Sequence, residues 1–137
     1  MVDNVPSRTR SWIMRRVRGK DTAPELLLRS LLHRLGYRFR LHRQNLPGRP
    51  DIVFPSRGKV IFIHGCFWHG HSCRRGARIP KSNRRYWNTK IAGNRARDSL
   101  NRNRLRHRGW RAMIIWECQL SDLDRVTVRA IRFLDTG

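Results

Sequence analysis

The stretch Val60–Cys73, VIFIHGCFWHGHSC, constrains this chain more than any other. It opens as an apolar run of β-formers, the pattern of a buried strand. It then brings together three of the six histidines, two of the three cysteines and the aromatic pair Phe67-Trp68. Gly65 and Gly70 allow the tight backbone path that such a cluster needs. A strand that ends in metal-type ligands and large aromatics marks a functional centre, around which the other elements must be arranged.

At 137 residues the chain is long enough for one domain with a modest core that needs no disulfides. Thirty-one Lys and Arg stand against nine Asp and Glu, a net charge of +22, and nearly all the cations are arginine. Arginine's planar fork suits phosphate oxygens and stacks on bases. A ribosomal-type protein is the plain reading, but the charge is too large and too evenly spread for a merely solvated face, so it predicts a nucleic-acid partner while saying nothing about chemistry. Three cysteines without framework spacing, and no apolar segment at the N-terminus, predict a reducing, cytoplasmic setting. No apolar run approaches membrane-spanning length, so no membrane partner is expected. A monomer is expected.

Residues 1–20 read as a basic N-terminal arm that contacts DNA, with Trp12 and Met14 set among Arg8, Arg10, Arg15 and Arg16. A short helix and plain disorder fit the same composition. Residues 21–137 read as a single domain. Thr22–Gly36 is the clearest helix, with Thr22 as N-cap, Pro24 in the first turn, a stripe of Leu28, Leu31, Leu32 and Leu35, and Gly36 as stop. Glu25, three residues after Thr22, fits the acid of a capping box.

Tyr37–Leu41 alternates with period two, as a half-buried strand does. The turn-rich segment Gln44–Pro50 leads to a strand at Asp51–Phe54, and Lys59–Ile63 follows as a buried strand. Residues 74–88 read as a basic loop carrying Tyr86 and Trp87, and Lys90–His107 as a helix stopped by Gly109. Met113–Trp116 is a short apolar strand, and Ser121 is placed to cap a last helix through Leu134. The order of helix, three strands, helix, strand, helix predicts an α/β sandwich around a small mixed sheet.

Cys66, His71 and Cys73 lie in one turn-forming segment, and Cys118, at the end of the next strand, is the remaining cysteine. Together they make a tetrahedral structural Zn²⁺ set, although Cys-x4-His-x-Cys is not a standard finger spacing. Two buried thiols with surface histidines is the plainer alternative. Hydrolysis of a phosphodiester with Mg²⁺ needs a carboxylate to hold the ion, and few acids are available. Asp51 stands at the start of a strand, where aspartate is disfavoured, and is the leading candidate. Glu25 and Glu117 remain as second ligands.

Ile91, Asp98 and Leu105 are seven apart, so Asp98 shares a helix face with two apolar residues and needs a partner. Arg102 at i+4 and a histidine of the cluster are equally placed to supply it. With His71 assigned to zinc, His64 and His69 are left as candidates for transition-state work on a phosphate. Phe67 and Trp68 cannot both point inward from a loop easily. They fit wedges that stack on or between base pairs, with Trp87 as a third.

Asn45-Leu46-Pro47-Gly48-Arg49-Pro50-Asp51, the segment Val60–Cys73 and the segment Trp110–Cys118 closely resemble the very short patch repair (Vsr) DNA mismatch endonucleases. Gly19–Ala23 and Glu25 fit as well, and the resemblance runs from about Thr9 to Leu120. It implies a restriction-endonuclease-like fold that nicks double-stranded DNA 5′ of the thymine of a T·G mismatch, with catalytic Mg²⁺ and structural Zn²⁺. Mismatch-repair proteins follow as candidate partners. By motif, Asp51 and the main-chain carbonyl of Ile63 resemble the Mg²⁺ ligands. His64 resembles the phosphate contact, His69 with Asp98 the general base, and Glu25 a supporting acid. Cys66, His71, Cys73 and Cys118 match the zinc ligands. Phe67, Trp68 and Trp87 resemble the aromatics inserted beside the mismatch, and Met14 the element that reaches the opposite groove.

Two positions depart from the family pattern. Ile63 stands where the family often has Thr, which spares a backbone ligand but removes a hydroxyl. Gly70 replaces a histidine and is expected to loosen the loop. Relative to the wider nuclease fold, Phe62 and His64 occupy the places of the usual Glu and Lys. The alternatives are a restriction or structure-specific nuclease, which would cut matched or branched DNA, and a non-catalytic zinc module that binds DNA without needing Asp51.

Overall fold

The computed structural model describes residues 22–73 and 79–136, so the proposed arm with Met14 lies outside the described residues. The elements are α1 (Ala23–Arg34), β1 (Arg40–Leu41), β2 (Ile52–Phe54), β3 (Lys59–His64), α2 (Arg84–His107), β4 (Arg111–Trp116) and α3 (Leu123–Asp135). Short 3₁₀ turns at Pro55–Arg57 and Glu117–Ser121 complete the order. The strands form one mixed sheet in chain order, with β1/β2 and β2/β3 antiparallel and β3/β4 parallel.

Period two along β3 sorts its side chains to two layers. Ile61 joins Leu28, Leu32, Ile115, Val126 and Leu134 in the core under α1 and α3. Val60 and Phe62 join Val53 and Leu105 under α2 on the opposite face. His64, two residues on from Phe62, therefore emerges on the α2 side. So does Trp116, which pairs with it in register at the end of β4. The parallel β3–α2–β4 crossover thus carries both residues to the place where α2 passes over the sheet.

At the other end of β3 the buried Lys59 ammonium closes the last turn of α3. It donates to the carbonyls of Phe133 at 2.6 Å and Leu134 at 3.1 Å, and also to that of Thr136. Tyr37 donates its hydroxyl to Asp135 Oδ1 at 2.8 Å, beneath the Arg57 guanidinium. One end of the strand is locked to a helix terminus, and the other end is left to carry the site.

Several boundaries differ from the sequence reading. The strand expected at Tyr37–Leu41 is confined to Arg40–Leu41, because β2 offers only a short partner. Helix α2 begins at Arg84, six residues before the expected start, which places Tyr86 and Trp87 in its first turn rather than in a loop. No capping box forms at Thr22; Glu25 turns inward instead and lies 3.8 Å from Arg29. Helix α3 is capped by Asp122, whose carboxylate accepts from the Arg125 N–H at 3.2 Å, while Ser121 bonds back to the Cys118 carbonyl.

Candidate active site and metal centre

The loop after β3 folds back on itself through the N–H groups of His69 and His71, which donate to the carbonyls of Gly65 and Cys66. One donor atom from each of Cys66, His71, Cys73 and Cys118 then falls within 4.8 Å of the others, so the four residues expected to hold a metal are brought together. Cys118 Sγ is 3.6 Å from His71 Nδ1. Metal–sulfur and metal–nitrogen bonds of about 2.3 and 2.0 Å around a tetrahedral ion leave such ligands about 3.5 Å apart, so the donor set fits a zinc-type ion. Burial pushes the Cys66 thiol up to about 12, so a thiolate there depends on a cation to stabilise it.

Next to this cluster lies a second group, His64, His69 and Asp98, again with donors within 4.8 Å. The seven-residue spacing on α2 places Asp98 toward the sheet, and its partner is His69: Nδ1 to Oδ2 is 2.6 Å. A carboxylate only accepts, so Nδ1 carries the proton and donates it, which leaves the Nε2 lone pair available. His64 stacks on His69 with ring centroids 3.8 Å apart and planes 7° from parallel. Burial first, then the neighbouring His69, lowers the His64 pKa to about 4, and Asp98 opposes the shift. At neutral pH this imidazole is uncharged.

Asp51 precedes β2 and faces β3 across the sheet. Its N–H donates to the Ile61 carbonyl at 3.1 Å, and its Oδ2 accepts the Ile63 N–H at 2.6 Å. The N–H and carbonyl of one residue leave an extended strand on the same edge, so the Ile63 carbonyl also faces the Asp51 side. A carboxylate and a main-chain carbonyl are the donor type that a hard divalent cation takes. His42 reaches the other Asp51 oxygen at 3.7 Å from a left-handed backbone position, and sequence reading had missed it. Asp51 and Glu25 fall outside the two His/Cys/Asp groups.

Trp116 had also escaped notice. Its indole lies flat on His71 (4.2 Å, 18°) and edge-on to His64 (5.3 Å, 75°), so one ring touches both groups. Being the last residue of an apolar strand, it reads as core. The signal lay in its position, two residues before Cys118.

Phe67, Trp68 and Trp87 meet edge to face at 5.2, 5.4 and 5.8 Å. Tyr86 adjoins Trp87 at 5.1 Å. Trp68 is 46% exposed and Tyr86 56%, so an aromatic ridge stands open to solvent. Asn94 of α2 donates to the Trp68 carbonyl at 2.8 Å and fixes the base of the ridge. Gly70 sits at φ +65 hard against α2, where a Cβ would meet Ile91 Cγ2 at 2.7 Å and Arg95 Cδ at 2.9 Å. The expectation that glycine loosens this loop is therefore corrected: it permits tight docking.

A histidine held on a carboxylate, with an exposed aromatic ridge on a very basic chain, suits work on a nucleic-acid backbone. The chain is a DNA endonuclease, as are the proteins it resembles. It belongs to the DNA mismatch endonuclease Vsr family, whose sequence profile matches residues 2–75. It is 53% identical over 135 residues to the type II nicking enzyme V.XorIIP of Xanthomonas oryzae pv. oryzae, covering 98% of each chain. It is 42% identical to the type II nicking enzyme V.NmeAIP of Neisseria meningitidis, over 89% of this chain and 86% of that one. With the DNA mismatch endonuclease Vsr of Escherichia coli it shares 42% identity, over 96% of this chain and 83% of the other. Among the described residues no helix is long and apolar enough to cross a membrane.

Proposed function

We propose that this chain is a Mg²⁺-dependent endonuclease that nicks one strand of double-stranded DNA 5′ of the thymine in a T·G mismatch and so begins very short patch repair. The observation that carries the reading is the His69–Asp98 pair, 2.6 Å long and stacked on His64 at the end of β3. Asp98 keeps the proton on Nδ1, so His69 Nε2 is free to take a proton from an attacking water. The neutral His64 ring offers a hydrogen bond to the scissile phosphate. Asp51 and the Ile63 carbonyl are the residues to hold Mg²⁺, and Glu25 is a supporting acid. The ion, when bound, neutralises phosphate charge and lowers the pKa of a bound water.

Cys66, His71, Cys73 and Cys118 hold a structural Zn²⁺ that keeps the loop in place. Phe67, Trp68 and Trp87 act as the wedge: a mispaired step is easier to unstack, so inserting rings there costs less than at a matched step. Met14, in the arm outside the described residues, reaches the opposite groove. We place the protein, on the restriction-endonuclease-like variant of this sandwich, as a monomer on bacterial cytoplasmic DNA with mismatch-repair proteins as partners.

The test is nicking of T·G, U·G and T·A duplexes in Mg²⁺ with strand-specific end labels. Product confined to the thymine strand of T·G supports the reading. Equal cutting of T·A, or no product with any divalent ion, overturns it.

A further inference from the structure

Spacing on α2 offers Asp98 two partners, Arg102 at i+4 and a histidine, and the structure gives the carboxylate to His69 at 2.6 Å. Arg102 is left over. It is exposed, and among the described residues its guanidinium has no hydrogen bond or ion pair. Other cations of α2 are engaged: Arg97 donates to Asn94 Oδ1, and the stem of Arg95 lies against Gly70. A helical side chain leans back over the turn that precedes its own Cα. Arg102 therefore leans toward Asp98, one turn or about 5.4 Å back along the axis.

Its charge is felt in the site. Burial and then His69 lower the His64 pKa, and Arg102 adds to them. The Asp98 and His69 side chains are 21% and 26% exposed, against 8% for His64, so the group opens to solvent on the Asp98–His69 side. An exposed guanidinium one turn along α2 stands at that mouth, where a DNA strand must enter.

We infer that Arg102 is a further catalytic residue, whose guanidinium holds the non-bridging oxygens of the scissile phosphate in front of His69. The inference rests on the nuclease role proposed for the His69–Asp98 pair. A phosphodiester is anionic and gains charge as water adds to it, and the Asp98 carboxylate behind His69 opposes that charge. A fixed cation offsets both effects. Arginine suits the place, because it is charged at every working pH and its fork offers parallel N–H donors to two oxygens of one phosphate. Arg102 transfers no proton; it acts by charge and position.

Single-turnover nicking of a T·G duplex in Mg²⁺, with zinc-loaded full-length protein in excess, tests the role. Arg102→Met keeps the aliphatic stem and removes the fork, and the rate should fall about a hundredfold, the usual loss for one preorganised transition-state donor. Arg102→Lys should recover part of it, since charge returns without the two-pronged geometry. Arg132→Met, on α3 across the sheet, removes the same charge and should nick at the wild-type rate. All three variants should keep the wild-type circular dichroism.

Binding measured without Mg²⁺ locates the contact. An uncharged methylphosphonate in place of the scissile phosphate should weaken binding by wild type, and weaken it less in Arg102→Met, which has already lost the partner. A wild-type rate in Arg102→Met, or equal losses in Arg102→Met and Arg132→Met, overturns the role. An equal methylphosphonate penalty in wild type and Arg102→Met overturns the contact. The binding comparison needs no cleavage, so a wild type that fails to nick T·G overturns the proposed function while Arg102 is still decided.

Discussion

Asp51 Oδ2 accepts the main-chain N–H of Ile63 at 2.6 Å, a side chain that continues the β2–β3 ladder one step beyond the end of β2. The acid is thus held by the sheet itself, in the place where the next strand residue would pair. An Asn at this position can still accept the N–H through its amide oxygen, but it has no charge to offer a cation. Asp51→Asn should therefore fold with an unchanged melting temperature while nicking falls by at least about a hundredfold, the loss typical of removing a group that stabilises transition-state charge. A variant that nicks normally would remove Asp51 from the metal site.

Trp116 spans the Cys/His cluster and the stacked histidines, touching His71 with its face and His64 with its edge. Trp116→Leu keeps an apolar filler but leaves both rings without a flat neighbour. Displacement of the base by about an ångström costs about a hundredfold in rate. The expected outcome is a fall in kcat with DNA affinity unchanged, and partial rescue by Trp116→Phe. Should the loss appear in DNA affinity instead, Trp116 belongs to the binding surface.

Much of this was legible in sequence because burial leaves a periodic trace. The β3 run and the Ile91/Asp98/Leu105 spacing each marked an element and its inward face, and the leucine stripe of α1 did so at Leu28 and Leu32, whereas Leu35, past the end of the helix, is 55% exposed. What stayed hidden depends on contacts between distant residues. Spacing could not choose between Arg102 and a histidine for Asp98, because His69 is 29 residues away. The start of α2 was missed because its first turn has no apolar stripe of its own; Trp87 there packs on Phe67 and Trp68 from another element. His42 depends on a left-handed turn, which nothing in its neighbours announces.

Gly70 offers a test of loop docking. The added methyl of Gly70→Ala meets Ile91 and Arg95 of α2, at a backbone angle that disfavours any side chain. Overpacking of this kind costs about 1–3 kcal/mol. Thermal unfolding should show that loss, and combining the change with Ile91→Ala should give less than the sum of the two, since the second removes the atom that the first strikes. Full additivity would mean that the loop and helix are not in close contact.

The Cys66 thiol, pushed up to about 12 by burial, makes the metal cluster sensitive to acid. Protons and the ion compete for the same sulfurs, so chelator-driven release of the metal should quicken as pH falls from about 8 to about 6, toward the usual imidazole range. Stripped protein should lose nicking while keeping much of its helical circular dichroism, because the core under α1 and α3 contains none of the four ligands. Zinc should restore activity and added Mg²⁺ alone should not. Nicking that survives complete removal would exclude a structural role for the ion.

Tyr37 and Asp135 give a pH test at the opposite end of β3. Burial, and then the hydrogen bond to Asp135, raise the Tyr37 pKa above its ordinary value. The unfolded chain gives up this proton near pH 10, while the folded chain still holds it. Above that pH the native state binds more protons than the unfolded one, so stability falls as pH rises. At pH 8 Tyr37→Phe should be less stable than wild type by about 1 kcal/mol, the usual net worth of one hydrogen bond. The difference should shrink above pH 10, where wild type loses the contribution and the variant has none to lose. Denaturant melts of both proteins across that range measure it; a gap that stays constant would mean the Tyr37 hydroxyl titrates as it does in the unfolded chain.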